Sequence, residues 1–116
     1  MILVKRVYAE PAKSDGFRIL VDRLWARGLT KEKARVDLWM KEIAPSDALR
    51  KWFHHEERNW GEFVKRYKAE LAKKKELLSE LKKLENKSGT VTLLFGSKDE
   101  KQNQAVILAS VLQGTK

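Results

Sequence analysis

The chain has 116 residues, with 25 Lys and Arg against 16 Asp and Glu, two His and no Cys. The lack of cysteine excludes disulfides, zinc–thiolate sites and thiol nucleophiles, and 42% hydrophobic residues with four Trp, four Phe and two Tyr exclude a disordered chain. The net charge of +9 favours an anionic partner, although the largest share of the surplus lies in residues 62–89, where a lysine- and glutamate-rich helical pattern reads as a solvated face.

The apolar start Ile2-Leu3-Val4 meets Lys5 and Arg6 at once, too short a run for a secretory segment, and no stretch approaches a membrane span. The expectation is a soluble cytoplasmic protein, one domain over residues 1–116, with no membrane partner and an oligomeric state left open. Residues Ile2 to Tyr8 read as a first strand. Pro11, Ser14, Asp15 and Gly16 then form a turn, and Phe17 to Asp22 read as a second strand. Thr30 can cap a short helical turn, and Arg35 to Met40 can form an edge strand with Val36, Leu38 and Met40 on one face. Pro45 ends that segment, and Ser46 looks like the N-cap of a short helix with Asp47 in its first turn.

From about Glu57 a long helical pattern runs to the stretch Asn86-Lys87-Ser88-Gly89. Trp60, Phe63, Tyr67 and Leu71, then Leu77, Leu81 and Leu84, keep helical spacing, while Lys73 to Lys75 leave open whether this is one helix or two. The pairs Glu62 with Arg66 and Glu70 with Lys74 should support its exposed face. Thr90 to Phe95 is the strongest strand, suited to the middle of a sheet. A last helix is expected over Glu100 to Gln113, opened by Asp99 and Gln102 in the manner of a capping box.

This order predicts an α/β fold, a small compact three-layer-like domain whose mixed or mostly parallel sheet of about four strands is flanked by helices. Ligands of such sheets bind beyond the carboxyl ends of the strands. Two polar clusters fall there: Asp22, Arg23 and Arg27 around Trp25, and Ser97 to Asp99 with Asn103. Arg18, Arg23 and Arg27 offer paired donors that match phosphate oxygens, and Trp25 can stack a base or sugar face. Asp22 can orient an arginine or act as a base, with Asp99 as a second acid, or the cluster can simply brace a turn. The two histidines in "HHEE", His54 to Glu57, are adjacent and point apart on a helix, and the i, i+4 spacing of a metal site is missing. No glycine-rich phosphate loop is present, so neither a metal nor a cofactor is expected.

The run "DGFRILVDRLWARG", the tetrapeptide "IAPS" and the later "VTLLFGSKDEKQNQAVIL" carry a resemblance over nearly the whole chain. The sequence resembles the YeaO-like branch of the domain-of-unknown-function family 488. That resemblance implies a compact α/β fold with its polar motifs gathered at one end of a small sheet, and it implies no reaction. It marks Asp15, Gly16, Arg18, Asp22, Arg23, Trp25, Arg27 and Gly28 as recurrent positions. Pro45, Ser46, Arg50, Trp52, Asp99 and Asn103 continue the set, which brings Ser46 and Asn103 into the anion-binding group. The chain departs from the family where Ala26 replaces a proline and Phe95 a tyrosine.

Two functional readings follow. The preferred one is an enzyme acting on a nucleotide or nucleic acid, with Asp22 or Asp99 catalytic and the arginines holding phosphate. The other is a non-catalytic nucleic-acid-binding or protein-interaction module that uses the same arginines together with Lys73 to Lys75.

Overall fold

The computed structural model describes residues 1–55 and 59–114. Four strands, β1 (Ile2–Arg6), β2 (Phe17–Leu20), β3 (Leu38–Trp39) and β4 (Val91–Phe95), form one sheet in the order β1-β4-β2-β3, and every pairing is parallel. The helices are α1 (Lys31–Ala34), α2 (Asp47–His55), α3 (Trp60–Ala72), α4 (Lys75–Ser88) and α5 (Gln104–Gln113). Parallel strands need crossovers, and crossovers cover both faces, so a central strand must be apolar throughout. The sequence Val91-Thr92-Leu93-Leu94-Phe95 satisfies that requirement, and all five residues are buried.

Alternation along the strands divides the interior into two layers. Val4, Leu93, Ile19 and Leu38 lie in register across the sheet and pack under α3, α4 and α5, with Tyr67, Leu71, Leu81 and Leu108. On the other face Leu20, Leu94 and Val7 pack against Ala26, Ala34 and Val36 from the segment that includes α1. That face also carries the buried pair Asp15 and Arg18, with Lys5 donating to both Asp15 oxygens at 3.1–3.2 Å.

The elements differ from the sequence expectation at their ends. Thr30 caps α1 by accepting from the Lys33 amide at 3.1 Å, and Ser46 caps α2 by accepting from the Leu49 amide at 3.2 Å. The third strand shrinks from Arg35–Met40 to two residues. Arg35 adopts a left-handed conformation, φ +50°, so Val36 turns to the face opposite Leu38 and Met40. The long helical pattern is two helices. The Lys73 and Lys74 amides bond three residues back, to the Glu70 and Leu71 carbonyls, which tightens and ends α3. The expected Glu70–Lys74 pair does not form, because Lys74 donates to the Ala44 carbonyl and Glu70 accepts from Ser46. The start placed near Glu57 lies outside the described residues. The last helix begins at Gln104 instead of Glu100, with Asn103 accepting from the Val106 amide as its cap. Asp99 accepts from the Lys101 and Gln102 amides, closing a turn ahead of the helix.

Candidate functional site

At the carboxyl end of the sheet, β2 leaves its neighbours one residue late. The Val21 amide still donates to the Leu94 carbonyl at 3.0 Å, which carries Asp22 across to the end of β4. There the Gly96 amide donates to Asp22 Oδ2 at 2.7 Å, and Gln104 Nε2 at the start of α5 donates to Oδ1. Burial is the largest influence on this carboxyl and outweighs both hydrogen bonds, pushing its pKa up to about 6.

A cleft of about 280 Å³ opens over Asp22. Arg23 lies along one wall with Nε donating to the Pro45 carbonyl at 3.0 Å and Nη2 to the Ala44 carbonyl at 3.3 Å. Phe53 and Phe63, stacked with centroids 4.1 Å apart, supply an apolar side. Tyr8 closes another side; its hydroxyl donates to the Arg27 carbonyl at 2.9 Å, and the Arg6 guanidinium lies 5.0 Å above its ring. Trp25 donates to the Leu29 carbonyl at 2.7 Å and meets the edge of Trp39, whose own indole donates to the Asp22 carbonyl at 2.8 Å. Arg50 reaches the lining from α2 while held by Asp47 at 3.1 Å. The Arg27 guanidinium is exposed and has no hydrogen-bond or ion-pair partner among the described residues. Leu24, 60% exposed, stands at the mouth.

Of the residues singled out from the sequence, the fold brings Asp22, Arg23, Trp25 and Arg27 together in this lining. It places the others elsewhere. Arg18 is buried on one sheet face, with Nε on the Arg35 carbonyl, one amino group on the Ala34 carbonyl and the other on Asp15. Ser46 holds Glu70 through both its amide and its hydroxyl while capping α2. Asn103 is 2% exposed, with its oxygen on the cap of α5 and its amide on the Asp99 carbonyl. Asp99 lies on the surface, and the Gln102 and then the Lys101 amide hold its pKa below the usual value. Tyr8, Gln104 and the Phe53–Phe63 wall escaped the sequence reading. Tyr8 follows the first strand closely, so the strand-end rule alone could have found it; Gln104 had no signal while the helix start was misplaced.

A second, wider groove of about 830 Å³ runs along the opposite sheet face between residues 7–13 and α1. It is open and of mixed charge, with Glu10, Glu32 and Asp37 facing Lys13, Lys33 and Arg35, and each guanidinium nitrogen of Arg18 beneath it already holds a protein acceptor. The smaller cleft is the better-built site because its charged groups converge on an apolar wall. Among the described residues no three His, Asp or Glu side chains gather to hold a metal ion. Glu56 and Glu57 of the "HHEE" stretch lie outside those residues.

Residues 1–115 match the family described as the inactive DUF488-N3 subclade. The chain belongs to that subclade. Its relatives include the uncharacterised protein YeaO of Escherichia coli, 45% identical over 112 residues that cover 97% of this chain and 96% of YeaO. Uncharacterised proteins of Mycobacterium tuberculosis and Mycobacterium bovis are each 40% identical over 113 residues, covering 97% of this chain and 94% of theirs. No solved structure matches the chain. The DUF488-N3 assignment agrees with the resemblance carried by "DGFRILVDRLWARG", and the parallel four-stranded sheet supplies the α/β fold that the resemblance implied. No helix among the described residues is long and apolar enough to cross a membrane.

Proposed function

We propose that this protein is a cytoplasmic binding protein that takes a small molecule bearing a ring and a phosphate in the strand-end cleft, without transforming it. The observation that carries this reading is the Arg27 guanidinium, without a partner among the described residues, at the mouth of a cleft whose wall is the stacked pair Phe53 and Phe63. A guanidinium left in water beside an apolar cavity matches a ligand with an anion at one end and a flat apolar body at the other. Arg23 and Arg50 add positive charge to the lining, and Asp22 is its one carboxylate among the described residues. The volume of about 280 Å³ suits a mononucleotide-sized ligand and not a polymer.

Three observations support binding without turnover. Asp99, the second acid of the preferred sequence reading, lies outside the lining. Asp22 is fixed in place by one protein donor on each oxygen, and the subclade is described as inactive. A second reading, binding of single-stranded nucleic acid, draws on the exposed Tyr8 and Trp39 rings, each with a cation (Arg6 and Lys41) about 5 Å above it.

One thermal-shift screen separates the two. Phosphate, mononucleotides and short DNA and RNA are compared at low and high salt, on wild type and Arg27→Ala. A ligand at about a hundred times its dissociation constant stabilises by roughly 2.7 kcal/mol, several degrees for a chain of this size. A mononucleotide shift that survives salt and vanishes in Arg27→Ala supports the cleft. A shift with polymers only, erased by salt, supports the second reading and overturns the first. Hydrolysis or transfer of a bound nucleotide would overturn the non-catalytic assignment.

A further inference from the structure

Resting on the reading of the cleft as a mononucleotide-sized binding site, we infer that its floor selects the base: the Asp22–Gln104 pair accepts hydrogen bonds from a ring N–H and an adjacent exocyclic amine, the lactam–amine edge of guanine or of a pterin. Asp22 keeps acceptor positions that no donor among the described residues fills. A carboxylate has about four lone-pair positions. The Gly96 amide occupies one on Oδ2 and Gln104 Nε2 one on Oδ1, so each oxygen keeps a second position. Both protein donors arrive from the strand-end and helix side, from Gly96 and the first residue of α5. Asp22 itself lines the cleft. Gln104 uses one N–H on Asp22, which leaves its Oε1 as a further acceptor, and its second N–H as a donor, beside the carboxylate.

Acceptors therefore outnumber donors in the floor, where Asp22 and Gln104 Oε1 face one spare N–H of Gln104, while the charged donors, Arg27 above all, belong to the rim. A ligand satisfies both only if it presents N–H groups inward and an anion outward. Two adjacent donors match the two oxygens of a carboxylate in the same bidentate manner as a guanidinium. Adenine offers one amine beside a ring-nitrogen lone pair, which would face the carboxylate and repel it. Hypoxanthine has the ring N–H but no amine. Sites that hydrogen-bond a donor reject analogues lacking it, because their own buried polar groups are then left unpaired.

Gly96 is part of the same device. A Cβ at this position would stand 2.9 Å from Asp22 Oδ2 and 4.0 Å from the Tyr8 ring. Glycine is what lets the carboxylate sit on the strand end instead of swinging away from it.

The test is isothermal titration of the full chain with guanosine, inosine and adenosine 5′-monophosphates, ribose 5-phosphate and pterin-6-carboxylate. Guanosine monophosphate or pterin-6-carboxylate should bind at least tenfold more tightly than the inosine and adenosine nucleotides, and which of those two is tighter names the source of the edge. In Asp22→Asn that preference should collapse while ribose 5-phosphate binds as before. Gln104→Leu should also reduce it, which covers the case of a poorly folded Asp22→Asn. Equal affinity for all three nucleotides, still dependent on Arg27, would overturn the base-edge inference and leave the phosphate-and-ring reading standing. No binding by any of the five would overturn both.

Discussion

Asp22 and Gly96 meet at the ends of β2 and β4, two strands that pair directly, with the glycine amide 2.7 Å from the carboxylate and no room for a side chain between them. The contact joins the opening of the candidate cleft to the most buried strand of the sheet. In Gly96→Ala the new methyl would lie 2.9 Å from Oδ2, so the Asp22 side chain must rotate and give up the amide. Above about pH 6, where Asp22 is ionised, losing this hydrogen bond to a carboxylate should cost about 1.5–3 kcal/mol in chemical denaturation. The same variant should lose the affinity of the cleft for its ligand. Unchanged stability together with unchanged binding would show that Asp22 has another resting place.

Asp22 also sets a pH dependence whose sign is unusual for an aspartate. Burial raises its folded pKa to about 6, above the ordinary aspartate value of 3.8. The native state thus holds the proton more tightly than the unfolded chain. The stabilisation by the protonated form is complete below about pH 4 and is lost as pH rises through about 6. Relative to Asp22→Asn, wild type should lose on the order of 2–3 kcal/mol between pH 4 and pH 7, a figure that water entering the cleft would reduce. Denaturation midpoints of both proteins across that range give the difference. A flat difference would mean that the carboxyl is as well solvated folded as unfolded.

Much of the frame was legible in the sequence because it rests on short-range rules. The apolar run at Thr90 to Phe95 suited a buried central strand, which the fold forms over Val91–Phe95, and Thr30 and Ser46 announced their helices by side-chain caps. What failed was decided by distant partners. At the Lys73-Lys74 break the Lys74 side chain reaches the Ala44 carbonyl, thirty residues away, a partner that the local sequence does not announce. Arg18 read as an anion ligand because its chemistry fits one; only the fold puts Ala34 and Arg35 carbonyls and the Asp15 carboxylate around it. The cleft wall of Phe53 and Phe63 comes from helices whose approach to Asp22 has no local signature.

Asp15, by contrast with Asp22, is an acid whose charge the fold requires. It is 4% exposed, as is its partner Arg18. Burial pushes its pKa up, but the Ala12 amide, Lys5 and Arg18 together outweigh that and leave it below the ordinary value. Its stabilisation is present above about pH 4 and is lost as pH falls further, opposite to Asp22. Asp15→Asn would leave the Arg18 charge buried without its counter-ion and should cost about 3–5 kcal/mol near neutral pH. The loss should shrink at strongly acid pH, once wild type loses the same charge. Urea denaturation at the two pH values checks this, and an equal loss at both would show that packing and not charge holds the turn.

Arg35 is the one non-glycine residue with positive φ among the described residues, at +50°. It occupies the left-handed position that closes a helix, where glycine is preferred, and it turns its own carbonyl and that of Ala34 onto Arg18. Only backbone is used in those contacts. Arg35→Gly should therefore keep the Arg18 lock and relieve about 1 kcal/mol of backbone strain, partly offset by the freer unfolded chain. A clear loss of stability would assign the Arg35 side chain a structural contact of its own.

Arg23 and Arg27 share a loop and differ in what they hold, so they separate brace from site. Arg23 caps the Ala44 and Pro45 carbonyls, and Lys74 donates to the Ala44 carbonyl as well at 3.0 Å. A charged donor on a partly buried carbonyl contributes about 1.5–3 kcal/mol. Arg23→Ala should thus lower stability by that order and loosen the loop that carries Pro45, weakening ligand binding only as a consequence. Arg27→Ala removes an exposed, unpartnered guanidinium, and its effect on stability should stay within about 0.5 kcal/mol. Its effect on binding should be the larger of the two. Denaturation and titration of both variants decide it: a stable Arg23→Ala with abolished binding, beside an Arg27→Ala that binds normally, would reverse the two roles and make Arg23 the anion ligand.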